Sequence, residues 1–222
     1  MAYPAFSDVI HIDGNGIATV VIENKKLFRQ IACDFYTSIE GDDTQLVLSK
    51  NERCLDIAKN AELLADFIHF DINKKPLLNK IVGVLEKTAV SAEHYVKTQE
   101  LLAKIERAVD EWAFSFPCDI VPGKLSVSAI LKSVGIELRN DYEGHRGELE
   151  KVFDYMELVR EFDRDKLFIT VNMRSFFEND MILEFLKTVH SHGFKVLMLE
   201  SQSYKMLDLE KRITVDEDLC EF

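Results

Sequence analysis

Hydrophobic positions follow two periods along the chain. Residues 17–23, IATVVIE, are β-branched and apolar almost throughout, which predicts a buried strand. Behind them Leu27, Phe28, Ile31, Phe35 and Ile39 recur at three-four spacing, with Asn24 placed to cap the helix they form. A short strand is predicted at LVLSK, 46–50. Residues 61–70, AELLADFIHF, are apolar enough for buried helix, though so short a run does not separate helix from strand by period.

From Asn73 onward the pattern is helical. Pro76 sits where a first helical turn tolerates it, and apolar residues follow at 77, 78, 81, 82 and 85. In 91–113, Tyr95, Leu102, Ile105, Val109 and Trp112 keep the spacing of a long helix, as in a helical hairpin. Pro117 and Pro122-Gly123 interrupt it. A short helix, LSVSAILKSV (125–134), closes at Gly135, and 145–162 carries Leu149, Val152, Phe153, Met156, Val159 and Phe162 on one stripe.

After Asp165 strand and helix alternate again. LFITVN (167–172) and FKVLMLE (194–200) read as buried parallel strands around the helix ENDMILEFLKTVHSH, which stops at Gly193, and RITVD (212–216) as a last strand. The fold class is therefore α/β: a mostly parallel sheet head built from 1–70 and 165–222, with an all-helical leg, 71–164, inserted.

Composition narrows the functions open to this layout. An apolar share of 47% with 9 Gly and 4 Pro describes ordered globular protein, against disorder. Cys33, Cys54, Cys118 and Cys220 are scattered without a CxxC pair, so neither a zinc site nor a disulfide framework is indicated. The start lacks a basic segment followed by an apolar run, and no run of about 18 apolar residues occurs. The expectation is a cytoplasmic protein with no membrane partner. A formal charge of −12 points away from nucleic acid, yet residues 71–140 hold ten Lys and Arg against nine Asp and Glu. The excess acid lies outside the helical segment.

A strand leading into a helix invites a nucleotide-binding reading, which needs a glycine-rich turn whose backbone N–H groups cradle phosphate. The turn here is Glu23-Asn24-Lys25-Lys26, with no glycine, and no GxxxxGK[ST] occurs. The glycine cluster Asp13-Gly14-Asn15-Gly16 precedes the strand and reads as a hairpin turn. At the end of LFITVN, where an NTPase usually places a metal-binding acid, the chain reads Val171-Asn172-Met173. His190 and His192 are two residues apart on a helix and face different ways. No GxSxG, HExxH or EF-hand loop is present. The expectation is a binding protein and not an enzyme.

Among the cations, Lys97 and Lys104 each follow a glutamate, Glu93 and Glu100, by four residues and are expected in solvated ion pairs. Lys124, Lys132 and Arg139 share 121–139 with Glu137 alone, and Lys74, Lys75, Lys80 and Lys87 face only Glu86 between them. Sparse lysines without interleaved aromatics predict phosphate contact without base reading, hence salt-sensitive binding of duplex DNA regardless of sequence.

Three segments, in order, carry a resemblance: LSVSAILKSVGIEL (125–138), KLFITVNMRSFF (166–177) and KVLMLESQSYKMLDLEKRITVDEDLCEF (195–222). With the [IL]-K-S-x-G segment and the VDEDL ending, the chain resembles the non-catalytic, DNA-end-binding adaptation protein family of type II-A CRISPR loci. The resemblance implies a ring-shaped homotetramer whose heads have a degenerate P-loop-NTPase-like core and whose lysine-lined hole encircles double-stranded DNA from its ends. It also implies work in spacer acquisition beside the adaptation integrase and the RNA-guided effector nuclease. A positive lumen inside an acidic exterior reconciles DNA with the net charge. Lys132, inside the matched segment, is the carried-over DNA contact; Lys124, Arg139, Lys74, Lys75, Lys80 and Lys87 follow from local charge. The family also binds Ca²⁺ through an acidic stretch before the short helix. Here that stretch is FSFPCDIVPGK, which keeps Asp119 but places apolar residues, Gly123 and Lys124 where further carboxylates are expected. Two alternatives from other classes are an atypical nucleotide hydrolase and a protein-only scaffold that docks partners through the leg.

Overall fold

The computed structural model describes residues 1–12, 16–118, 120, 121, 123–139 and 144–222. The described residues form two compact units: one from Met1–Phe70 and Asp141–Phe222, the other Asp71–Asn140.

The first unit is built on a five-stranded sheet whose strand pairs are all parallel, in the order β4 (Ala61–Leu64), β5 (Leu167–Val171), β6 (Lys195–Glu200), β1 (Ile17–Ile22) and β7 (Lys211–Val215). Strand β1 (Ile17–Ile22) is buried at all six positions. It lies between β6 (Lys195–Glu200) and β7 (Lys211–Val215), and because side chains on both faces of the sheet are buried its sequence has no polar alternation. Gly16 enters β1 with φ +74°, and a Cβ there would stand 2.3 Å from the Phe194 carbonyl oxygen, so the position accepts only glycine. Helix α1 (Lys25–Glu40) begins where the Leu27 N–H donates to the Asn24 side chain at 3.0 Å, as the cap predicted, and ends at Gly41 in the left-handed region, φ 103°.

Alternation along the strands sends their side chains to two cores. Ala18, Val20, Ile22, Ile169, Leu197 and Leu199 pack with Ile31 and Phe35 of α1 and with the N-terminal segment around Met1, Tyr3 and Phe6. Their neighbours Thr19, Phe168, Thr170, Met198 and Glu200 point the other way, the side of α6 (Gly144–Phe162) and α7 (Asn179–Ser191). Strand β5 (Leu167–Val171) completes the centre of the sheet.

Three expectations change. Residues 61–64 are strand β4, pairing Ala61 to Leu64 with Leu167 to Thr170, and not a buried helix. Four residues hold too little period to reveal this, and the parallel partner lies over a hundred residues away. The predicted strand at 46–50 becomes β2 (Leu48–Lys50), paired antiparallel with β3 (Arg53–Leu55) outside the main sheet, and a single helical turn, α2 (Ile57–Asn60), joins it to β4. The boundary of the helical insertion falls at Asn140, not at 164. Helix α6 belongs to the sheet unit because Leu149, Val152, Tyr155, Met156 and Val159 are buried. Tyr155 also donates to Glu62 Oε1 of β4 at 2.7 Å and meets Phe70 edge-on. The turn expected at 13–16 falls largely outside the described residues.

The second unit holds α3 (Lys75–Ala89), α4 (Tyr95–Ala113) and α5 (Val127–Val134). Pro76 occupies the first turn of α3, and Ser126 caps α5 by accepting from the Ala129 N–H at 3.2 Å. Among its described residues only Ile72 and Leu77 are buried, and α4 buries no side chain at all. No described helix is long and apolar enough to cross a membrane.

Candidate nucleic-acid interface

All seven cations proposed from the sequence lie in the helical unit, and six of them are exposed. Lys74 is half-buried at the N-cap of α3, and Lys75 follows it as the first helical residue. Lys80 and Lys87 are seven residues apart, share one flank of α3 and are both exposed. Lys124 lies in the extended segment before α5, and Lys132 in its last turn, where the helix dipole favours a cation. Lys132 falls opposite the stripe Val127, Ile130 and Leu131, so it faces solvent.

Arg139 joins this group through one pair of hydrogen bonds. The Leu138 N–H donates to Asn73 Oδ1 at 2.6 Å, and Asn73 Nδ2 donates back to the Leu138 carbonyl at 3.3 Å. Each partner is one residue from a cation, so the clasp draws together the backbones that carry Lys74 and Arg139. Packing of α3 against α5 carries Lys132 into the same region. Nothing in the sequence announces a contact between residues 65 positions apart.

Lys97 and Lys104, set aside by the sequence reading, join the exposed cations. The described ion pairs include neither Glu93 with Lys97 nor Glu100 with Lys104. Glu93 precedes the first residue of α4, Tyr95, so helical four-residue spacing does not apply to it. Glu100 and Lys104 are both exposed, and water competes for their long side chains.

The fit to calcium is poor. Ca²⁺ takes six to eight oxygen ligands. Among the described residues no group of three or more His, Cys, Asp or Glu side chains converges, and Asp119 lies outside them.

At the carboxyl ends of the strands, where open parallel sheets hold ligands, the space is closed by the protein's own groups. Strand β1 passes into α1 through Glu23 and Asn24 alone. The Glu23 N–H donates to Val215 O at 2.9 Å, and Asn24 spends its side chain on Leu27 N and Glu217 O. No loop of N–H groups is left to hold phosphate. Past β5, Asn172 (φ 51°) accepts from the Ser201 N–H at 2.8 Å and so stitches β5 to β6. His192 Nδ1 lies 2.8 Å from Thr188 O, the contact of a helix C-terminus, and its ring meets Phe153 edge-on.

Sequence reasoning missed a buried charge network that links the segment after β5 to the entrance of β7. Arg174 donates to Glu210 at 2.9 Å, to Asn179 at 2.8 Å and to the Lys205 carbonyl at 2.8 Å, and its guanidinium stacks on Tyr204 at 4.9 Å. Arg212 donates to the other Glu210 oxygen at 2.7 Å. Both arginines are therefore spent on protein groups and hold the 200–212 segment in place. Glu200, at the end of β6, accepts from the Arg174 N–H at 3.2 Å with one oxygen and has no partner for the other. Burial pushes its pKa up to about 7, opposed by the Arg174 hydrogen bond and charge. A charged residue closing an apolar strand, LMLE, was the visible signal; its contact with Arg174 was not.

Comparison with known proteins agrees with this architecture. The crystal structure of Stu0660 of Streptococcus thermophilus matches 90% of this chain and 69% of its own at a TM-score of 0.57 and 11% identity, a likeness of fold. The CRISPR-associated protein Csn2 of Streptococcus agalactiae is 19% identical over 221 residues, covering 97% of this chain and 94% of the relative. A family model described as CRISPR-associated protein (Cas_Csn2) matches residues 38–219, from the end of α1 to beyond the last strand. With most of its length matched, the chain belongs to the Csn2 family of CRISPR-associated proteins.

Proposed function

We propose that this protein is a non-catalytic clamp that binds double-stranded DNA regardless of sequence, as a ring-shaped homotetramer, in the adaptation step of CRISPR defence. Its partners in that step are the adaptation integrase and the RNA-guided effector nuclease, in the cytoplasm. The observation that carries this reading is the helical unit itself, which presents exposed lysines on α3 and α5 while leaving its apolar stripe unburied. Leu101 is 52% exposed, Ile105 42% and Trp112 71%, and all three fall on one side of α4. A stripe of this size in water marks a protein interface, and assembly through it gathers the lysines of several copies around one space.

The cations fit phosphate and not bases: they are sparse, solvated and mostly lysine, a point charge without the planar fork that reads guanine. No step of this function runs through Ca²⁺, for which the described residues supply no cage. The sheet serves as scaffold, its strand ends occupied by Asn24, Asn172 and the Arg174–Glu210 pair.

A mobility-shift assay at low salt tests the clamp, comparing linear duplex with covalently closed circles. Retention of linear DNA, poor retention of circles and loss on Lys132→Glu support it; no shift with linear duplex overturns it. The α4 stripe also favours one second reading, a protein-only scaffold, in which Lys132→Glu leaves DNA affinity unchanged and Trp112→Glu removes a protein partner.

A further inference from the structure

Within the sheet unit, α6 and α7 leave between them a groove of about 250 Å³ that none of the functions above uses. Its floor is apolar: Leu149 and Phe153 from α6, Met181 and Phe185 from α7. Each pair is spaced by four residues, so two helical ridges run along the groove, leaving a channel of the form that ridges of a third helix fill. Met181 adapts its shape to whatever lies against it.

The rim is acidic. Glu150 and Glu184 are both exposed and line the groove, and neither enters an ion pair among the described residues. Lys187, one turn beyond Glu184, does not pair with it. Asp154, which makes a contact of its own, adds a third carboxylate to the lining. This acid sits in the part of the chain that carries all of the net negative charge.

That combination selects the occupant. Carboxylates repel nucleic acid, and among the described residues no group of three ligating side chains converges for a metal. An apolar floor between Glu150 and Glu184, which enter no ion pair among the described residues, matches a cation on an apolar stem. We propose that the α6–α7 groove docks a basic amphipathic helix of a protein partner, with arginine or lysine between Glu150 and Glu184 and an apolar side chain against Phe153 and Met181. Such a helix is a surface feature of proteins that handle nucleic acid, and the acidic field around the groove steers it. The groove belongs to the sheet unit, and its proposed role stands whether or not the helical unit's lysines bind DNA.

The test uses the full-length protein and a fluorescein-labelled helical peptide of leucine and arginine, with a second peptide in which every leucine is glutamine. Fluorescence anisotropy is expected to give at least about tenfold weaker binding for the glutamine peptide, because charge alone does not fill the floor. The double variant Glu150→Lys, Glu184→Lys, at exposed positions that do not support the fold, is expected to cost roughly tenfold or more. The distant control Glu40→Lys, Asp42→Lys is expected to change affinity by less than about twofold. Equal binding of the two peptides, or equal loss in the groove and control variants, overturns the proposal in favour of diffuse attraction. So does a fall in self-association caused by the groove variants alone, which makes the groove a contact between copies.

Discussion

Asn73 and Leu138 hold each other by a reciprocal pair of hydrogen bonds, 2.6 Å and 3.3 Å, which ties the entrance of α3 to the segment after α5. Asn73→Ala removes both at once and leaves a half-buried N–H and C=O behind. The expected cost is about 1–3 kcal/mol, confined to the helical unit. Hydrogen exchange reads it as faster exchange in α3 and 136–139, with the strands of the sheet unchanged. On the proposed DNA surface, weaker binding in a mobility-shift assay is expected to accompany it, because the backbones carrying Lys74 and Arg139 are no longer tied together.

Phosphate contacts release counterions, so they can be counted by salt. Each DNA-contacting lysine converted to glutamine is expected to lower the slope of log K against log salt by about 0.9. Lys132→Gln and Lys87→Gln should each show this, and the double variant about twice as much, with no change in preference between DNA sequences. Unchanged slopes place the DNA elsewhere.

Trp112 is 71% exposed and Ile105 42%, so neither supports the fold of its own chain. Trp112→Glu and Ile105→Glu are expected to leave circular dichroism intact and to reduce the mass in solution, measured by sedimentation. An assembly that survives both variants uses another surface.

Glu200 gives stability a pH dependence of defined sign. Its folded-state pKa is raised from the ordinary 4.5 to about 7, first by burial, with the Arg174 hydrogen bond and charge opposing and Glu210 adding repulsion. The folded state therefore holds the proton more tightly than the unfolded one. This contribution is complete below about pH 4.5, is lost as pH rises through about 7 and stays lost above. Glu200→Gln, neutral at every pH, should stabilise the protein relative to the native sequence at pH 8 by up to ~3 kcal/mol, with little gain at pH 4. Thermal unfolding of both proteins at the two pH values measures it, and an equal difference at both shows that Glu200 does not titrate there.

Local signals carried much of the fold. A strand buried on both faces must be apolar throughout, and β1, β5 and β6 are visible for that reason. Asn24 and Ser126 are caps because their side chains reach N–H groups within three residues, a distance the sequence spans by itself. Strand β4 and the home of α6 were hidden, since each depends on a partner far along the chain: Ala61 on Leu167, and Tyr155 on Glu62 and Phe70.

The candidate DNA surface divides the same way. The sequence by itself determined which third of the chain carries little net charge and which cations have few acidic residues near them along the chain, because charge is a property of residue type. Only the tertiary structure decided that Leu138 meets Asn73, that Glu210 holds two arginines before the last strand, and that α4 buries none of its apolar residues. Those are contacts between side chains far apart in sequence, and they exist once packing has brought their backbones together.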